Sequence, residues 1–328
     1  MNIPGFSIII CTYNGEKRLR QTLASISALE IGGMDIEVIV VNNNSTDNTK
    51  NFVEEWISSL NKKFTANLIF EPNPGLSFAR KAGIDASNYD WLLFCDDDNW
   101  LASDYLNKAA EILKRSPNIG ALAGRGNPES DTEFPYWFYP NMGSYATGIL
   151  SLNSGDVSHK GSVWGASTIF RKDILLNVFN SGFESLLHDR KGKSLSSGGD
   201  DEMCRWVSLA GYKLWYDEEL VFTHFIPKER LTKDYLERLL KGFSETFPVI
   251  NKYQAIVHFN SYSGIKRLIL SFFYLIKGLF YFPLSSGLSS QNFRSYSACV
   301  PFISLTLDKE YKRIKTLSNA LQNIQFKS

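Results

Sequence analysis

The stretch "WLLFCDDDNWL", residues 91–101, sets an apolar run directly before three consecutive carboxylates, Asp96, Asp97 and Asp98. Aromatic and bulky apolar residues over 91–95 predict a buried strand, and the acidic triplet marks its end. Neighbouring like charges repel, and a single Asp is enough to make a turn. Two readings of the triplet follow from its chemistry. It is a solvated acidic turn ahead of a helix, with Asp104 available as N-cap, or a set of hard oxygen ligands for Mg²⁺ or Mn²⁺.

Working outward, "FSIIIC" (6–11), "IEVIVV" (36–41) and "ANLIF" (66–70) read as further strands. Between them Leu19, Leu23 and Ile26, and then Phe52, Val53, Trp56, Ile57 and Leu60, recur at helical spacing; a third helix is predicted over 76–86. Continuously apolar strands alternating with amphipathic helices predict an α/β fold, a mostly parallel sheet with helices on both faces. Ligands in such sheets bind beyond the carboxyl ends of the strands. That rim carries "CTYNG", "NNNST", "PNPGLS" and "DDDN". Neither G-x-G-x-x-G after the first strand nor G-x-x-x-x-G-K-[ST] occurs, which argues against a dinucleotide oxidoreductase or a P-loop enzyme.

Composition narrows the class. The chain has 328 residues, 44% hydrophobic and 21% charged, which is globular usage. Lys plus Arg number 35 against 34 Asp plus Glu, so no basic footprint points to a nucleic-acid partner. Cys11, Cys95, Cys204 and Cys299 form no C-x-x-C pair and read as reduced, mostly buried thiols of a cytosolic protein. The first residues lack the basic segment of a secretory signal.

A second informative stretch, "SSGGDDEMCRWVSLAGYKLWYDEELVFTHF" (196–225), leads from a Gly pair into Asp200, Asp201 and Glu202 at the start of a helix carrying Met203, Trp206, Val207 and Leu209. "AGYKLWY" and "ELVFTHF" then read as two strands. The carboxylates fit a helix N-terminus favoured by the macrodipole, or a general base within reach of a substrate hydroxyl.

Taken together, "FSIIICTYNGEKRLRQTL", "EVIVVNNNSTDNT", "PNPGLSFARKAGI", "DWLLFCDDDNWL", "VWGASTIFRK" and "GGDDEMCRWVSLAGYKLWYDE" resemble the family 2 glycosyltransferases with a GT-A fold, over residues 4–245. The resemblance implies a Rossmann-like, mixed but mostly parallel sheet. It implies transfer of a sugar, with inversion, from a nucleotide diphosphate sugar to a hydroxyl of a glycan or lipid-linked saccharide, as in surface polysaccharide synthesis. By the same resemblance Thr12, Tyr13 and Asn14 cradle the nucleobase and ribose. Asn42, Asn43 and Asn44 stand where family members more often show Asp, which leaves uridine as the first guess for the base. Arg80 matches a donor-site arginine whose fork suits phosphate. Asp98 matches the metal-binding carboxylate, with Asp96 and Asp97 around the donor and Mn²⁺ or Mg²⁺ as cofactor. His224 matches a late metal or diphosphate ligand, and Trp164, Gly165 and Ala166 lie beside the sugar. Asp200 aligns with the general base; Asp201 takes that role if the register shifts by one.

Alternative readings of single features stay open. Trp164 at a strand start and the aromatic segment "FPYWFYP" (134–140) serve the acceptor cleft or pack into the domain. The polar segment 181–197 is expected to act as a lid. Residues 246–328 are expected to form a mainly helical extension outside the resemblance. Its run "IKRLILSFFYLIKGLFYF" (265–282) is too short and too charged to span a bilayer, and packs on the catalytic domain or lies in a membrane interface. The second of these suits a cytoplasmic enzyme at the inner face of the cell membrane. Against an active transferase stands a catalytically silent GT-A module that binds a nucleotide sugar or a partner. A nucleotidyltransferase would need a Gly-rich basic first loop that "CTYNGEKR" supplies poorly.

Overall fold

The computed structural model of the chain describes residues 5–60, 63–187, 198–260, 269, 272, 276 and 308–325. Its contacts divide into two compact units, Met1–Asp173 with Lys213–Tyr235, and Ile174–Tyr212 with Leu236–Ser328. The lid expected over 181–197 lies beyond residue 187 outside the described residues, as does all of 265–282 except residues 269, 272 and 276.

The first unit holds a nine-stranded mixed sheet. Strands β1 (Phe6–Thr12), β2 (Ile36–Asn42), β3 (Thr65–Phe70) and β4 (Trp91–Phe94) run parallel in the order β3-β2-β1-β4. Helices α1 (Glu16–Ala28), α2 (Thr49–Ser59) and α3 (Leu76–Ala86) connect them. All seven residues of β2 are buried, because helices cover both faces of a central parallel strand. β3 alternates in exposure, as befits the sheet edge. The other half is built from β5 (Asn99–Leu101), β6 (Ile119–Glu129), β7 (Gly155–Asp156), β8 (Thr168–Arg171) and β9 (Lys213–Phe225), with antiparallel pairs β4/β8, β6/β8, β5/β9 and β7/β9. Helix α4 (Tyr105–Arg115) follows β5. Asp104 stands at its N-cap position but makes no capping bond; its carboxylate pairs with Lys108 at 2.9 Å.

The two strands expected within 210–225 are one. Along the parallel β6/β9 pair the register passes from Ala123↔Tyr216 to Arg125↔Val221, so residues 217–220 bulge opposite Gly124. The exposed acidic residues there sit on the bulge and the strand resumes beyond it. A Cβ on Gly124 would lie 2.0 Å from the Leu220 carbonyl oxygen, a backbone atom that cannot swing aside. Gly124→Ala is therefore expected to destabilise the fold by about 1–3 kcal/mol, measurable by urea denaturation.

The second unit contains α5 (Lys172–Asn180, all but its first two residues), α6 (Gly199–Leu209), α7 (Lys233–Asn260, from Leu236 on) and α8 (Lys309–Gln325). Trp206 of α6 is its centre, meeting Phe179 and Phe183 edge-on at 5.9 and 6.4 Å. Lys252 of α7 pairs with Asp308 and Glu310, each at 2.7 Å. Helix α7 continues through residues 245 and 246, where the sequence reading placed the end of the catalytic domain.

Candidate active site

Four loops at the carboxyl ends of β1–β4 are laced by side chains. Asn14 takes a left-handed conformation (φ 49°); its backbone N–H donates to Ser45 Oγ at 2.9 Å and its Oδ1 accepts from Thr46 N at 2.8 Å. Asn42 Oδ1 accepts from Ser45 N at 3.0 Å. The Asn43 amide donates to the carbonyls of Glu71 (3.1 Å) and Asn73 (2.7 Å) and accepts from Gly75 N at 2.8 Å. Only an amide can do both, since an ionised Asp has no donor. This gives a local reason for Asn rather than Asp at 43. Asn44 is exposed at φ 59°, and Tyr13 is exposed beside it in the rim. Arg80, on α3, is buried with its guanidinium 5.8 Å from the Phe94 ring centroid.

The acidic triplet is held by two arginines. Asp97 receives Arg18 as a fork, Nε to Oδ1 and Nη2 to Oδ2 at 2.8 Å each, and Thr12 Oγ1 to Oδ2 at 2.6 Å. Thr22 Oγ1 donates to the Asp97 carbonyl at 2.9 Å. A Cβ at Gly15 would fall 1.9 Å from Thr12 Oγ1 and 2.8 Å from Asp97 Oδ2, so the bond between them needs a glycine there. Asp97, expected around the donor, has its carboxylate engaged from within by α1 and β1. The hydrogen bond to Asp97 raises the Arg18 pKa above its ordinary value.

Asp98 is buried and faces two groups brought by β9 and the turn after it. Asn99 pairs with His224 across β5/β9, and Phe225 N donates to the Asp98 carbonyl at 2.9 Å. This sets Asp98 Oδ1 3.6 Å from His224 Nε2, while Oδ2 accepts from Arg230 Nη1 at 2.9 Å. His224 Nδ1 lies 2.8 Å from the Tyr145 carbonyl, which can only accept, so in the neutral ring the proton is on Nδ1 and the Nε2 lone pair faces Asp98. Burial works to lower the Arg230 pKa, and Asp98 foremost among its neighbours more than offsets that, leaving it raised. The Asp98 oxygen suits Mn²⁺ or Mg²⁺, and the imidazole lone pair beside it suits a transition ion, so the pair fits Mn²⁺ better than the all-oxygen preference of Mg²⁺. Among the described residues no cluster of three or more His, Cys, Asp or Glu could hold a metal. Asp96 is half-buried on the same loop.

Trp164, Gly165 and Ala166 form a turn into β8: the Trp164 carbonyl accepts from Thr168 Oγ1, the Gly165 carbonyl accepts from Thr168 N, and Ala166 is buried. The aromatic segment divides its roles. Phe138 is buried, stacked on Phe134 at 4.4 Å, whereas Tyr136 and Tyr139 stand exposed.

In the second unit Asp200, Asp201 and Glu202 occupy the first turn of α6. Asp200 and Asp201 are half-buried. Glu202 is fully buried and accepts from Leu186 N (2.9 Å), Leu187 N (3.2 Å), Tyr253 Oη (2.6 Å) and the Ser185 hydroxyl. Arg205 is buried one turn beyond Asp201; burial lowers its pKa and the Asp201 charge opposes that. Sequence reasoning missed Arg18, Arg230 and the Glu202 network. Nothing local marks the two arginines, since "EKRLRQ" and "KERL" read as solvated charge.

Residues 7–179 match the family described as glycosyl transferase family 2. The poly-β-1,6-N-acetyl-D-glucosamine synthase of Staphylococcus epidermidis is 26% identical over 178 residues, 54% of this chain and 42% of that protein. A putative glycosyltransferase of Bacillus subtilis, EpsH, is 31% identical over 105 residues, 32% of this chain and 29% of that protein. The chain thus spans less than half the length of these curated relatives. Among solved structures, S. aureus TarS 1–349 superposes with a TM-score of 0.58 at 16% identity, covering 98% of this chain and 90% of that one. The mannosyltransferase PcManGT of Pyrobaculum calidifontis, solved with GDP-Man and Mn²⁺, gives 0.56 at 17% identity, covering all of this chain and 89% of that one. At such identities the two superpositions speak to fold, and the family match spans more than half the chain. The chain belongs to glycosyltransferase family 2.

Proposed function

We propose that the protein transfers a sugar, with inversion, from a nucleoside diphosphate sugar to a hydroxyl of a glycan or lipid-linked saccharide in surface polysaccharide synthesis. The observation that carries the reading is the Asp98 Oδ1 and His224 Nε2 pair, 3.6 Å apart with Arg230 on the other Asp98 oxygen. The rim beside it is made by Thr12 and Asn42 at the ends of β1 and β2, by Tyr13, Asn14, Asn43, Asn44, Asp96 and Asp97 on the loops, and by Arg80 on α3. In the donor reading these loops bind the nucleoside, with Tyr13 and Asn44 offering exposed surface to the base. Uridine is the first choice, in keeping with TarS, which has been solved with UDP and with UDP-GlcNAc.

Asp98 and His224 are the residues that would hold Mn²⁺ or Mg²⁺, which when bound supplies positive charge to the diphosphate oxygens. Arg230 and Arg80 add fixed cationic charge, the electrostatic complement of a departing diphosphate. Asp200 takes the proton from the acceptor hydroxyl as that oxygen attacks the anomeric carbon in line, with Asp201 the neighbouring carboxylate. Half-buried Trp164 and the exposed Tyr136 and Tyr139 are the surfaces offered to sugar, with Gly165 and Ala166 buried in the turn that carries Trp164. The catalytic assignment takes in residues 1–245, with 246–328 an extension that meets the inner face of the membrane through 265–282.

The test is thermal unfolding with UDP and GDP, each with and without Mn²⁺. UDP with Mn²⁺ at a hundredfold excess over its Kd is expected to raise Tm by about 4 °C. Asp98→Asn should abolish the Mn²⁺-dependent part of that rise. If neither UDP nor GDP stabilises the wild-type protein, with or without Mn²⁺, the donor-site reading fails.

A further inference from the structure

We infer that Arg18 is a positioning residue of the donor site, a staple that neutralises Asp97 and ties the loop after β1 to the metal-side loop after β4. The inference rests on the donor-site reading above and adds to it a residue that touches neither donor nor metal. Its basis is geometric. The Arg18 guanidinium spends two N–H groups on the two oxygens of Asp97, and Nη2 also donates to the Tyr13 carbonyl at 3.0 Å. One planar group thus spans 79 residues of sequence and fixes the nucleoside-side loop against the acidic loop. Thr12 Oγ1 on Asp97 Oδ2 and Thr22 Oγ1 on the Asp97 carbonyl close the same joint.

The electrostatic consequence is specific. Asp97 and Asp98 are adjacent, and each already has an arginine: Arg18 on Asp97, Arg230 on Asp98. Without Arg18, Asp97 would present a full negative charge beside the carboxylate assigned to the cation. A divalent cation would then bind more tightly and an anionic diphosphate more weakly. Arg18 holds the balance between the two, so that neither the free ion nor the nucleotide alone dominates the site. Its side chain is about one-third exposed, so the bond set and not burial carries this role.

The test is two titrations on wild type and variants: Mn²⁺ alone, followed by the loss of the free-ion EPR signal, and UDP alone in EDTA, by calorimetry. Arg18→Met is expected to tighten Mn²⁺ binding and weaken UDP binding, each by about three- to tenfold, the scale of one unit charge acting over several ångströms in a hydrated site. Adding Asp97→Asn to that variant should return both to within about twofold of wild type. Asp97→Asn alone leaves the arginine uncompensated and should reverse both signs, and it serves equally if Arg18→Met does not fold. Arg18→Lys keeps the charge and should leave Mn²⁺ affinity near wild type. A merely structural role would weaken both ligands together in every variant, and that result overturns the inference. Wild-type protein that binds neither Mn²⁺ nor UDP overturns the donor-site reading and this inference with it.

Discussion

Asp200→Asn is expected to fold, to bind UDP with Mn²⁺ as the wild type does, and to transfer sugar about a hundred- to ten-thousandfold more slowly, the usual contribution of a positioned base. Asp200 lies in the first turn of α6, where a carboxylate meets the positive end of the helix dipole. Asparagine has the same size and stays compatible with the helix start, at a cost of about 0.3–1 kcal/mol from the lost charge–dipole interaction. The neighbouring Asp201 separates the two registers. Its charge faces Arg205, a buried cation on the next turn, which gives Asp201 a structural use. Asp201→Asn should therefore retain transfer within about tenfold while lowering stability, since it removes the counter-charge of a buried guanidinium. The measurement is single-turnover transfer with purified variants at saturating donor. Undiminished transfer by Asp200→Asn would remove it as base, and a large loss confined to Asp201→Asn would move the role one residue along.

Much of the fold could be read from residues because its determinants are local. β2 announces itself by an apolar run interrupted only by Glu37, and the turn residues after β1, β2 and β4 mark where a parallel sheet displays its loops. The four rim loops were legible for the same reason. What escaped was set by distance. Arg18 meets Asp97 across 79 positions and Arg230 meets Asp98 across 132, and each arginine sits in a run that reads as solvated charge. The acidic triplet raised the question of what relieves its repulsion; a metal was the expected answer, and two arginines supply much of it. The long β9 was split in the sequence reading because Asp217, Glu218 and Glu219 look like a loop, and only the register jump opposite Gly124 accommodates them within one strand. Asn43 shows the converse: a residue read as a departure from the family's pattern has an amide that bridges two carbonyls and an N–H.

Glu202→Leu is expected to cost about 3–5 kcal/mol of stability, because it strands two backbone N–H groups and the Tyr253 hydroxyl around a buried apolar side chain, while the Ser185 hydroxyl keeps the Leu187 carbonyl as acceptor. The carboxylate joins the 185–187 segment to the first turn of α6 and to the middle of α7, so its loss loosens the segment that leads toward Asp200. Tyr253→Phe removes one donor and leaves an acceptor that keeps its other partners, so about 1 kcal/mol is expected. Combined, the two should fall short of additivity, since the second change removes a donor already stranded by the first. The pH dependence has a definite sign. Burial outweighs the four donors and raises the Glu202 pKa above its ordinary value. A raised folded-state value means that the folded protein holds this proton more tightly than the unfolded chain. The resulting stabilisation is full below the unfolded value of about 4.3, and it fades as pH rises through the folded value. Relative to Glu202→Gln, which cannot ionise, the wild type should lose stability across that window and then level off. Urea denaturation of the two proteins at intervals from pH 4 upward reads the difference directly. A wild type that gains on the Gln variant over the same range would mean that the four donors, and not burial, set the charge of this carboxyl.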